Sequence, residues 1–147
     1  MKLPSFLPIT TVYAHCDLPC GVYDPAQARI EAASIYGVIK KSDASTDAAF
    51  KTRALMITED RAEAVKHHLW VLWTDYFKPE HLEKFPTLHD VFWKATKAAG
   101  EVKHAATLTN AQALLDCIDE VGAIFVASKP GYDYTAVVKN TNLQIGL

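Results

Sequence analysis

From residue 47 to about residue 77 the apolar side chains recur at the spacing of a helix. Wrapped at about 100° per residue, Ala54, Leu55, Ala62, Val65, Leu69, Leu72 and Tyr76 share one face. Such a long helix is the element against which the rest of the chain must pack. With 147 residues and 16.3 kDa there is room for one domain and little room for two. Half of the residues are hydrophobic and 22% are charged, which excludes a disordered or collagen-like chain. Arg61 falls inside the apolar face, where a lone charge is costly, so a partner is expected for it. Trp70 and Phe77 fall on the far side, among Glu59, Glu63 and His67. Large aromatics there point to a second contact, most simply another subunit.

Three further helices are predicted. Asp24-Pro25-Ala26-Gln27 opens the first, with a capping carboxylate, a proline whose φ suits the first helical position, and a glutamine able to close a capping box. It runs to about Lys41 and is followed by a polar break over 42–47. Pro79 and Pro86 punctuate the return from the long helix, and Thr87 is the expected cap of a helix from Leu88 to about His104. Thr109 with Gln112 reads as another capping box, opening a helix to about Ser128 with Ala111, Leu114, Ile118, Val121 and Phe125 inward. After Pro130-Gly131 the expectation is irregular chain with a short β-like patch at 135–138. Four helices with short connections predict an all-α, antiparallel up-down four-helix bundle.

A formal net charge of −2 and a pI near 6.3 give no reason to expect nucleic acid or an anionic membrane as partner. No apolar run approaches the ~18–20 residues needed to span a bilayer. Residues 1–14 read differently from the rest, with a single charge (Lys2), Pro4 and Pro8, and a Val12-Tyr13-Ala14 ending that resembles a processing site. A secretory signal needs a longer uninterrupted apolar core, so a short leader removed by a dedicated maturation peptidase fits better than export. The expected location is cytoplasmic, with export the lesser alternative, and residues 15–147 form the single domain.

The chemistry concentrates in His15-Cys16-Asp17-Leu18-Pro19-Cys20-Gly21, a segment without helical or strand period. Three cysteines, an odd number, argue against a disulfide scaffold. A Cys-x3-Cys pair alone fits a disulfide or half of a zinc site, and no second Cys/His cluster completes the latter. If the chain is cut after Ala14, His15 gains a free amine. That amine, the backbone nitrogen of Cys16 and the sulfurs of Cys16 and Cys20 then form a square-planar N2S2 set, with the His15 imidazole available axially. Such a set points to Ni(II) or Cu(II) rather than zinc. On the residues alone, the disulfide and the metal site both stand.

The string HCDLPCGVYDPAQARIEA resembles the N-terminal nickel hook of the nickel-containing superoxide dismutases. The likeness continues through TRALMITEDRAE and KHHLWVLWTDYFKPEHLEKFP. The resemblance implies disproportionation of superoxide to O2 and H2O2 by Ni(II)/Ni(III) cycling, one nickel ion per subunit, and a homohexamer of four-helix bundles trimmed from a precursor. It assigns the nickel ligands to His15, Cys16 and Cys20 within a hook over 15–23, and the active-site tyrosine to Tyr23. The backbone N–H of Asp17 is a second candidate contact for the anion. Glu31 and Arg61 correspond to the pair that steadies the axial imidazole, as partners behind a metal ligand generally do. Tyr76 corresponds to the partner of the hook tyrosine. Lys78, with Lys103, would steer the anion locally. The alternative in another class is a non-catalytic nickel- or copper-binding helical module.

Other features carry less. His67 and His68 are adjacent and project to different sides of a helix. Glu101-x-x-His104 matches a di-iron motif once where two copies and further carboxylates are needed. Cys117, between Leu114 and Val121, reads as an inert core thiol.

Overall fold

The computed structural model describes residues 21–147. The Asp24 carboxylate accepts the N–H of Ala26 at 2.7 Å and opens α1 (Ala26–Asp43). Asp47 does the same for Ala49 at 2.9 Å and opens α2 (Ala48–Val71). The next helices are α3 (Pro79–Lys84), α4 (Leu88–His104), α5 (Leu108–Ser128) and α6 (Thr135–Ile145). Consecutive long helices pack side by side, and α5 closes back on α1. The four-helix bundle is therefore made of α1, α2, α4 and α5. Its core joins Ile35 and Ile39 of α1 and Val65 and Leu69 of α2 to Phe92 and Val102 of α4 and Leu114, Ile118 and Phe125 of α5.

Several local expectations are corrected. The long helix does not run as α-helix to Phe77, because Leu72–Tyr76 form a π-helical turn closed by the Phe77 N–H on the Leu72 carbonyl at 3.2 Å. A π turn holds more than 3.6 residues, so the 100° wheel loses register there. Phe77, placed by that wheel on the outer side, is only 7% exposed and packs edge-on against Phe92. Leu55, placed inward, is 59% exposed, and Thr58 takes the buried position by returning its hydroxyl to the Ala54 carbonyl. Thr87 makes no side-chain cap. Thr107, rather than Thr109, caps α5 by accepting the Asn110 N–H.

The β-like patch is helix. Residues 135–145 pack against α1, where Ile145 seats on Gly37 and Lys40 donates to the Ile145 carbonyl at 2.9 Å. Arg29, on the second turn of α1, is 1% exposed. Its Nε donates to Asp119 of α5 at 2.8 Å and its Nη2 to Asn142 of α6 at 2.6 Å. Tyr134 donates to the same Asp119 carboxylate. One buried guanidinium thus ties three helices together. Among the described residues no helix is long and apolar enough to cross a membrane.

Candidate active site

Gly21 has φ +71°, a left-handed turn that costs glycine no Cβ clash, and it leads the chain directly from Cys20 toward Tyr23. The Tyr23 ring lies against Tyr76, centroids 5.6 Å apart and planes tilted by 52°. Tyr76 is itself held on several sides. Its ring leans on Phe125 at 4.7 Å, meets Phe77 edge-on at 4.8 Å and stacks on His81 at 5.7 Å. Ser128 spends its only hydroxyl proton on the Phe125 carbonyl at 2.7 Å. Tyr76 is therefore the donor in its 3.0 Å contact with Ser128.

Tyr23, Tyr76 and His81 line a cleft of about 280 Å³ with Gly21, Asp75, Lys78 and Glu80. Lys78 is the one lysine or arginine among its described lining residues, which also include the acidic Asp75 and Glu80. Sequence reasoning missed His81. Its Nδ1 accepts the Lys78 N–H at 2.9 Å, which leaves Nε2 to carry the proton of the neutral ring. The signal lay in Lys78-Pro79-Glu80-His81, because a proline-started helical turn folds its third residue back onto the residue before it.

The other expected residues divide. Glu31 and Arg61 do meet, with Nη1 at 3.0 and 3.2 Å from the two carboxylate oxygens. Arg61 is not buried in the apolar face, however. Its side chain is 49% exposed and its long stem reaches round α2 to a carboxylate that is 18% exposed. Lys103 is not at the cleft within this chain. It bridges Glu63 at 3.1 Å and Glu59 at 3.3 Å, roughly 20 Å along α2 from Tyr76 at 1.5 Å per residue. Glu63 and then Glu59 hold its ammonium above the usual lysine range, so its charge is already compensated. His15, Cys16, Asp17 and Cys20 lie outside the described residues, as does the 1–14 leader. Among the described residues no group of three or more His, Cys, Asp or Glu side chains is placed to hold a metal. Cys117 is half-buried, and burial lifts its thiol above the ordinary range, as suits an inert thiol.

Outside the cleft lining, Tyr134 and Tyr132 both hold their protons far more tightly than an ordinary phenol. Burial is the main cause for each, followed by the charge of Asp119 at Tyr134 and the hydrogen bond to Asp24 at Tyr132. Their folded pKa values lie above the unfolded value of about 10. Stability is therefore complete below pH ~10 and is lost as pH rises beyond it, because the unfolded chain releases those protons first. Chemical denaturation across pH 9 to 12 should show a falling unfolding free energy. Tyr134→Phe should make that fall shallower by up to about 1.4 kcal/mol per pH unit. An unchanged slope would mean that Tyr134 titrates alike in both states.

Fold and site together define a helix-bundle protein with a tyrosine-lined cleft whose lining starts at Gly21, next in sequence after a His/Cys string. The family described as nickel-containing superoxide dismutase matches residues 10–129. The chain is 51% identical over 124 residues to the nickel superoxide dismutase of Streptomyces coelicolor, covering 84% of this chain and 95% of that one. The corresponding protein of Streptomyces seoulensis is 50% identical over the same extent. The solved native nickel superoxide dismutase superposes with a TM-score of 0.75 at 50% identity, over 78% of this chain and 97% of its own. This chain belongs to the nickel-containing superoxide dismutase family.

Proposed function

We propose that this chain disproportionates superoxide to O2 and H2O2 with one nickel ion per chain, held by His15, Cys16 and Cys20 after residues 1–14 are removed. The observation that carries the reading is the meeting of Tyr23 and Tyr76 in a cleft that begins one residue after Cys20, in a chain of this family. The donor set fits the metal. An amine, a backbone nitrogen and two thiolates suit square-planar Ni(II), with the His15 imidazole as a further donor. Bound there, nickel would supply the one-electron Ni(II)/Ni(III) couple that disproportionation of superoxide needs.

The chain's own residues do the rest. The Tyr23 hydroxyl orients the anion and passes protons toward the departing peroxide, with Asp17 N–H as a further contact. Tyr76 holds the Tyr23 ring in place. Lys78 draws the anion into the cleft over the short range left to it by Asp75 and Glu80. Glu31, gripped by both its oxygens, has the fixed geometry needed to orient an imidazole through a hydrogen bond. A homohexamer is part of the proposal, supported by the exposed Leu55, Met56 and Ile57 on α2. So are trimming by a maturation peptidase and a cytoplasmic location, where Cys16 and Cys20 stay reduced and able to take up metal.

The test uses the chain cut after Ala14, loaded with nickel under reducing conditions and assayed by direct decay of superoxide. Nickel bound at one per chain together with accelerated decay is the expected result. Nickel bound without acceleration would make the protein a non-catalytic metal-binding module. Tyr23→Phe keeps the ring and removes only the hydroxyl. It should keep nickel and lower turnover by about 10- to 100-fold, at or below the low end for a proton-transfer group. Loss of nickel in that variant would show instead that Tyr23 builds the hook.

A further inference from the structure

The family match ends at residue 129, yet the structure continues through a turn into α6. What residues 130–147 touch is specific. The Tyr132 hydroxyl donates to the Asp24 carboxylate, the same oxygen that caps α1 immediately after Tyr23. The Tyr132 ring stands edge-on against Phe125 at 5.1 Å, and Phe125 supports Tyr76 at 4.7 Å. Tyr132 therefore closes a ring of contacts running Asp24, Tyr23, Tyr76, Phe125 and back to itself. Lys129 lies over both the Phe125 and Tyr132 rings and covers this junction.

The bundle is shaped to receive the segment. A Cβ on Gly122 of α5 would stand 2.2 Å from the Tyr134 ring, so only glycine lets that ring seat. Arg29 and Asp119, one on α1 and the other on α5, reach Asn142 and Tyr134 through the buried guanidinium and its carboxylate.

We infer that residues 130–147 form a clasp that starts at the cleft end of the bundle and runs on along α1, with Tyr132 as a positioning residue for the Tyr23–Tyr76 pair. It acts through Asp24 on the start of α1 and through Phe125 on the bed of Tyr76. The kinetic part of this inference rests on the dismutase reading, whereas the structural part stands without it. Tyr132→Phe removes one hydroxyl and leaves the ring against Phe125. A second variant, Gly122→Ala, displaces Tyr134 while leaving Tyr132 intact.

The test is amide hydrogen exchange on the full chain, read at Ala26, bonded to Asp24, and Arg29, bonded to the Pro25 carbonyl, with α4 as internal reference. In Tyr132→Phe these two amides should exchange about 3- to 10-fold faster, the range a single hydrogen bond commands, while α4 is unchanged. Gly122→Ala should speed the same region by unseating the segment. In the cut, nickel-loaded chain, Tyr132→Phe should lower turnover about 3- to 10-fold at unchanged nickel content. Unchanged exchange at Ala26 and Arg29 would overturn the clasp. Equal acceleration in every helix would reduce the segment to general stabilisation, and faster local exchange with undiminished turnover would overturn the positioning role. A wild-type cut chain that shows the exchange pattern but no dismutation would sink the functional reading alone.

Discussion

Cutting the chain after Ala14 is expected to switch dismutation on. The intact 147-residue chain, with nickel in excess, should fall below the cut form by at least about 100-fold. Loss even of a group behind a metal ligand costs about 10–100-fold, and here a proposed direct ligand is missing. In the intact chain the His15 nitrogen belongs to the Ala14–His15 peptide bond, so it is neither a free amine nor a good donor. Cys16 and Cys20 remain able to bind metal through sulfur, so metal content does not discriminate the two forms. Superoxide decay does. Equal rates from the intact and cut chains would mean that the chemistry does not depend on the His15 amine. Activity with an N-terminus other than His15 would discard the proposed ligand set altogether.

Asp119→Ala should be the most destabilising change at the junction of α1, α5 and α6. Arg29 is buried, and among the described residues Asp119 supplies its only countercharge, at 2.8 Å. Among the described residues its Nη1 has no hydrogen-bond partner even in the intact junction. Removing the carboxylate leaves the buried guanidinium, among the described residues, on the Asn142 amide oxygen alone. Breaking a buried pair from one side costs about 3–5 kcal/mol, and the partial exposure of Asp119 puts this case near ~3. For a domain of this size that corresponds to a melting temperature lower by roughly 6–12 °C. Arg29→Met keeps the stem and removes the charge, while Asp119 can turn to water, so its cost should stay near ~1 kcal/mol. Denaturant titration of the two variants decides the matter. If Asp119→Ala is no worse than Arg29→Met, the burial of charge is not what governs this junction.

Much of the bundle was legible because the information is local. Asp24 and Asp47 were readable as helix starts, since each satisfies an orphan N–H two residues on. Leu88 to His104 was readable from period and composition together. Thr107 was harder, because Thr109 offers the same chemistry two residues later and only the packing of α5 selects between them. The wheel placed Tyr76 correctly and Phe77 wrongly, because Leu72–Tyr76 wind as a π-helical turn and the 100° register is lost by its end. At the cleft, Tyr23, Tyr76 and Lys78 were visible as residue types in a recognisable string, whereas His81 became visible only once the Pro79 turn brought it back onto Lys78.

Taken by itself, the sequence determined the proposed donor string His15-Cys16-x-x-x-Cys20, the all-helical class and the pairing of Glu31 with Arg61. Each follows from residue chemistry, periodicity or close resemblance. Only the tertiary structure decided that Arg29 is the buried charge and Arg61 the exposed one. It also turned residues 135–145 from an expected β-like patch into a helix seated on α1, and drew Lys103 away from the cleft to Glu59 and Glu63. The physical reason is separation along the chain. The partners of Arg29 lie 90 and 113 residues away, so the free energy that buries it belongs to no window of sequence. A short polar-rich segment such as 135–145 has little helical preference of its own and is helical because Gly37, Arg29 and Gly122 give its Ile145, Asn142 and the preceding Tyr134 places to dock.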